Sequence, residues 1–151
     1  MNDSDIQKTI EFFSKAYPNI KSKNIHTQLG VHFEEIGEML NEMTGSTTVS
    51  QYVLDNVKNA IIGFGQYLKE NDNIYEVKSE NRVAFLDGLC DQIVTASGTA
   101  YMLRMDIVGG FGEVNRSNAS KFDENGNPIL DSNLKMVKGP NYFKPNLEPY
   151  V

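Results

Sequence analysis

Apolar residues recur at steps of three and four through the first hundred positions, and this spacing predicts four helices. In the first, Ile6, Ile10 and Phe13 share a face; Ser4 and Gln7 form a capping box at its start, and Pro18 ends it. A second helix runs from about Ile25 to Met43 on the stripe Leu29, Phe33, Ile36, Leu40 and Met43, and Gly45 stops it. The third spans about Val49 to Lys69, capped by Thr47 or Thr48, with Val53, Val57, Ile61, Phe64 and Leu68 as its core stripe. After a polar link, Ser79 can cap a fourth helix that reaches about Met105 or Ile107, where Gly109-Gly110-Phe111-Gly112 terminates it.

From Glu113 onward the helical period is lost and four of the five prolines fall at or beyond Pro128. Asp123-Glu124-Asn125-Gly126 reads as a turn, and Ile129-Leu130 can pair with Met136-Val137 in a small hairpin. Phe122, Tyr142, Phe143 and Tyr150 are bulky enough to anchor this tail. The expectation is an all-α fold in a single domain covering residues 1–151. It comprises a four-helix body over 4–108 and an irregular tail over 113–151 that wraps the body as a lid.

Composition narrows the function. A length of 151 residues suits one domain with a real core, and 40% hydrophobic with 23% charged residues is ordinary for a soluble globular protein. A net charge of −6 argues against a nucleic-acid binder or a protein of anionic membranes, both of which need basic surface. Cys90 stands alone, which excludes an internal disulfide and suits a reducing compartment. The polar, acidic start shows no signal peptide, and no apolar run could cross a bilayer. The expected location is the cytoplasm, or the host cytoplasm for a phage-encoded chain.

The candidate chemistry is acidic. Glu35, Glu38 and Glu42 share one face of the second helix with Glu34 at its edge; by itself this also reads as the solvated side of an amphipathic helix. The fourth helix is apolar nearly all round, which predicts burial nearly all round, yet it carries Asp87 and Asp91 one turn apart. Buried carboxylates demand a compensating cation, and acids on two helices suit a hard ion, Mg2+ first, with Mn2+ as a substitute. Zinc is disfavoured, because His26 and His32 are too few and Cys90 has no partner. The histidines read as packing or surface residues. No phosphate-binding glycine loop is present, since Gly109–Gly112 lacks the Lys-Ser/Thr that such a loop needs.

Against this acidic background the tail carries Arg116, Lys121, Lys135, Lys138 and Lys144. Cations at the mouth of a metal-loaded acidic cleft suit nucleotide phosphates, with Lys121 and Lys138 as the grips and Lys135 as a solubilising surface residue. Asn118, Ser117 and Tyr142 are candidate hydrogen-bonding partners for sugar or phosphate.

Glu34-Glu35-x-x-Glu38, followed by an acidic pair on a later helix, resembles the all-α nucleoside triphosphate pyrophosphohydrolases. The tail segments Val114–Phe122 and Val137–Pro145 resemble the MazG-like and phosphoribosyl-ATP-pyrophosphohydrolase-like members found in phages and bacteria. The likeness covers about Ile25 to Leu147. It implies a four-helix MazG-like bundle that cleaves between the α and β phosphates with Mg2+, giving a nucleoside monophosphate and pyrophosphate. By position, Glu35, Glu38 and Asp91 match metal ligands and Glu34 an acid that binds metal or activates water. The second motif departs in spacing: the family has Glu-x-x-Asp, whereas Asp87 and Asp91 stand four apart, still on one face. Phosphoribosyl-ATP as substrate and a non-catalytic, nucleotide-sensing or partner-binding module are the alternatives. The greasy circumference of the fourth helix, together with the resemblance, implies a homodimer or homotetramer with sites near the subunit interface.

Overall fold

The structure, a computed structural model, describes residues 3–151, with side chains from Asp5 onward, so the expected Ser4 cap lies outside the described residues. It is all-α, as the periodicity predicts, but the described residues form five helices: α1 (Asp3–Ala16), α2 (Ser22–Asn41), α3 (Thr48–Glu70), α4 (Arg82–Met102) and α5 (Ile107–Ala119). Short 3-10 turns occupy Ser79–Asn81 and Glu148–Tyr150. No described helix is long and apolar enough to cross a membrane. The chain divides into two compact units, one built from Asn19–Tyr75 with Leu130–Lys135, the other from the chain up to Pro18, Glu76–Ile129 and Met136–Val151.

In the first of these units α2 and α3 form an antiparallel hairpin. Thr47 caps α3: its hydroxyl accepts from the Ser50 N–H at 3.1 Å while the Ser50 hydroxyl accepts from the Thr47 N–H at 2.9 Å. Glycine sets how closely the helices approach. A Cβ on Gly30 would stand 2.6 Å from the Gly65 carbonyl oxygen, and one on Gly37 would stand 2.6 Å from Cγ1 of Ile62. The contact face of α2 is therefore Thr27, Gly30, Glu34 and Gly37, not the full apolar stripe that periodicity selects. Of that expected pattern, Phe33 and Phe64 meet edge to face at 5.0 Å and Leu68 is fully buried, while Val53 and Val57 are exposed.

His26 pins the link after α3. Its Nε2 accepts from the Ile74 and Tyr75 N–H groups, both at 3.2 Å, so the proton sits on Nδ1, which donates to the Ser22 carbonyl at 3.1 Å. The buried ring is a packing residue, as the sequence reading holds.

In the other unit α1 packs on α5: the Thr9 hydroxyl donates to the Asn115 side-chain oxygen at 2.9 Å, and the Asn115 amide donates to the Asp5 carbonyl at 3.0 Å. Ala16, Phe122 and Met136 are buried there, with Phe12 against Phe122 at 5.5 Å.

Two boundaries differ from expectation. The fourth helix ends at Met102, because Arg104 takes φ 62°. The Met105 N–H returns to the Ala100 carbonyl and the Arg104 N–H to the Tyr101 carbonyl, each at 3.0 Å, which is a Schellman closure without its usual glycine. The glycines read as a terminator then lie inside α5, which Asp106 caps by accepting from the Gly109 N–H at 3.0 Å. Gly109 is small because Tyr150 presses on it: a Cβ there would stand 2.4 Å from the ring. The expected hairpin shrinks to single backbone bonds, Val137 N–H to the Ile129 carbonyl at 2.9 Å and Asp131 N–H to the Lys135 carbonyl at 3.0 Å, with no strand among the described residues.

Within the unit that holds α1 and α5, the tail is an ordered strap. The buried Ser117 hydroxyl donates to the Phe143 carbonyl at 2.8 Å, and the Phe143 N–H donates to the Ser120 hydroxyl at 3.1 Å. Arg116 lies 4.2 Å over the Phe143 ring and grips Glu113 through two bonds of 2.7 Å. Much of the tail pattern is thus structural.

Candidate functional site

Glu34 stands between Gly30 and Gly37 on the α2 face that meets α3, where the two glycines leave room for a long side chain. One carboxylate oxygen accepts from the Lys69 ammonium at 2.8 Å, and the other from the Lys135 ammonium at 2.7 Å. The group is about three-quarters buried, with 27% of its side chain exposed. Burial alone would raise its pKa, but the two lysines outweigh that and hold it below the usual carboxylate value. Glu34 is therefore a well-held anion.

Lys135, read from sequence as a solubilising residue, is delivered by a shaped loop. The Asp131 carboxylate accepts from the Asn133 N–H at 2.8 Å and the Lys135 N–H at 2.9 Å, and Leu134 takes φ 62°. The Thr27 hydroxyl holds the Asn133 carbonyl, two turns before Glu34 on the same face of α2. Sequence reasoning missed this because the partners of Glu34 lie 35 and 101 positions away. The one local signal was Gly30 and Gly37 flanking an acid at helical spacing.

Glu35 and Glu38 are exposed on α2, with Glu38 one turn beyond Glu34, roughly 6 Å along the axis. Asp87 and Asp91 are exposed on α4, which corrects the expectation that they sit where water is scarce. The whole of α4 shares this condition. Val83 is 82% exposed, Leu86 62% and Val94 66%, and Ala100 is its one buried residue. An apolar circumference measures the cover a helix requires; within its unit α4 packs on the Ser79–Asn81 turn and on α5.

Glu38, Asp87 and Asp91 enter no ion pair among the described residues. Each helix supplies hard oxygen donors a turn or less apart, which fits Mg2+ or Mn2+ in kind. Among the described residues, no three His, Cys, Asp or Glu side chains gather into one group able to hold a metal ion.

The tail candidates are brought together. Gly139 lies against the carbonyls of Lys121 and Phe122, where an added Cβ would stand 2.6 and 2.7 Å away, so the segment carrying Lys138 runs beside the one carrying Lys121. The Lys138 ammonium is 4.8 Å from the centre of the Tyr142 ring, and Asn118 closes the turn at the end of α5 by accepting from the Lys121 N–H at 3.1 Å.

These elements make an all-α fold that is shared with a solved structure. The chain is similar to a crystal structure from Exiguobacterium sp. 255-15 of a protein provisionally named an NTP pyrophosphohydrolase. The TM-score is 0.64 over 99% of this chain and 92% of that one, at 19% identity, a likeness of fold. No family model matches the chain, and no curated protein does.

Proposed function

We propose that the protein is a nucleoside triphosphate pyrophosphohydrolase that uses Mg2+, with Mn2+ as a substitute, to split a (d)NTP into the monophosphate and pyrophosphate. The observation that carries this reading is the fold shared along nearly the whole chain with a protein provisionally named for that activity. Each acidic pair, Glu35 with Glu38 on α2 and Asp87 with Asp91 on α4, would supply oxygen ligands for the cation. When bound, the cation neutralises the polyphosphate and stabilises charge developing in an in-line displacement.

The chain's own residues do the rest. Glu34, fixed by its two lysines, is the carboxylate that orients the attacking water; its lowered pKa makes it a weak base, suited to placing a proton more than removing one. Lys121 and Lys138 meet phosphate oxygens, and Asn118 and Tyr142 supply hydrogen bonds to sugar or phosphate.

The working form is a homodimer or homotetramer. Burying four or five of the exposed side chains on α4 contributes on the order of 5–10 kcal/mol, the scale of micromolar association. A second copy is the partner whose chemistry this face suits, and covering α4 would draw Asp87 and Asp91 out of bulk water.

The test is a panel of NTPs, dNTPs and phosphoribosyl-ATP incubated with Mg2+, with monophosphate and pyrophosphate separated by chromatography. Glu38→Ala and Asp91→Ala each lower turnover by a factor of about a thousand while the circular dichroism is unchanged. Full turnover in both variants, or nucleotide binding with no product from the parent, overturns the reading.

A further inference from the structure

We infer that Lys69 and Lys135 form a polyphosphate-binding pair, for which Glu34 is the resident counter-ion. The inference rests on the pyrophosphohydrolase reading and assigns a phosphate subsite to residues of α2, α3 and the 131–135 loop.

Two ammonium groups reach one carboxylate from separate elements, at 2.8 and 2.7 Å on its two oxygens. Since those oxygens are about 2.2 Å apart by covalent geometry, the two nitrogens lie within roughly 8 Å of each other, a span that one phosphate or two adjacent ones can bridge. Each ammonium has three donors and spends one on Glu34, which leaves donors for an anion. The Lys135 side chain is 36% exposed, so an incoming group can reach it, while Lys69 at 17% is set deeper. Lys23 adds a third cation at this end of the hairpin, donating to the carbonyls of Lys69 and Asn71.

Charge makes the cluster informative. The whole chain carries −6, yet the Lys69–Glu34–Lys135 trio is net +1, and it stands one turn from the exposed Glu38. A metal-bound polyphosphate has the complementary polarity, a cation on one side to meet the acids and unneutralised oxygens on the other to meet the lysines. Glu35 and Glu38, which would hold the cation, stand within about one helical turn of Glu34, on which the two lysines converge. The loop is built for this delivery: Asp131 shapes it and Thr27 fastens it to α2, so Lys135 is placed before any ligand arrives. Preorganisation of this kind lowers the entropic cost of gripping an anion.

Calorimetric titration of the full-length protein with inorganic tripolyphosphate in excess Mg2+ tests the inference. Lys135→Ala and Lys69→Met each weaken binding about tenfold or more, Lys135→Arg restores it to within about threefold, and Glu34→Gln binds as tightly as the parent or tighter because a competing anion is gone. Thermal melts identify any variant that loses its fold, and the exposed Lys135 then carries the test through its Ala and Arg forms. Unchanged affinity in the lysine variants, beside a parent that binds, overturns the subsite and leaves the hydrolase reading standing. Weakening by Glu34→Gln equal to that of the lysine variants also overturns it, since the trio would then be a structural clasp. A parent that hydrolyses no nucleotide and binds no tripolyphosphate overturns both.

Discussion

The α2–α3 hairpin and α4 invert the usual relation between apolar content and burial. The hairpin buries Thr27, Gly30, Gly37, Gly65 and His26, small or polar groups, with Leu68 as its fully buried aliphatic side chain. α4 is richer in aliphatic residues and leaves nearly all of them in water. Burial within the chain follows backbone approach: where two helices come close, whatever lies between them is covered, acids and glycines included. Apolar residues without such an approach remain a demand for cover, which a second copy can meet.

The largest effect expected is from closing that approach. Gly30→Leu places a Cβ 2.6 Å from the Gly65 carbonyl and forces α2 off α3, at a cost of about 3 kcal/mol. A shifted urea midpoint at unchanged slope measures it, and an unshifted midpoint would mean the hairpin is looser than its glycines indicate.

Leu86→Glu with Val94→Glu tests the other side of the comparison. The pair leaves the hairpin's protection from amide exchange intact but raises the self-association constant for dissociation at least tenfold, read by sedimentation. A parent that is already monomeric at micromolar concentration defeats the assembly.

Gly88→Ala sharpens the contrast, because a Cβ at Gly88 meets nothing within 4 Å. At a dilution where the chain is monomeric, the gain in helix propensity stabilises it by roughly 0.5–1 kcal/mol, the opposite sign to Gly30. Destabilisation at high concentration alone would put Gly88 in the interface between copies.

The smallest effect concerns the tail. Arg116 and the Asn146 N–H hold the Glu113 pKa down to about 2 from a usual 4.5. A carboxylate depressed in the folded state contributes stability above about pH 4.5, and that contribution fades as pH falls toward about 2. Amide exchange at Asn146 should therefore quicken across this window, and Glu113→Gln should abolish the dependence.

The helices were legible to different depths for physical reasons. α2 and α3 follow the apolar period and their capping residues, so their limits fall within a few positions of expectation. α4 overran its true end because Arg104 closes it in a left-handed conformation that usually advertises itself with glycine. α5 was lost because Gly109 and its neighbours resemble a breaker, whereas Gly109 makes room for Tyr150, 41 positions later. Of the candidate site, the acidic residues were legible by type and spacing; the hold on Glu34 was not, since neither lysine is near it in sequence.

The sequence by itself determined an all-α chain, the positions of its first helices and the oxygen-rich character of its acids, because each of these is fixed by neighbours within about one helical turn. Only the tertiary structure decided that Glu34 is clasped by Lys69 and Lys135, that the tail pattern is largely a strap, and that α4 stands uncovered. Those depend on which distant segments approach each other, and the contact that closes such an approach leaves no local period to read.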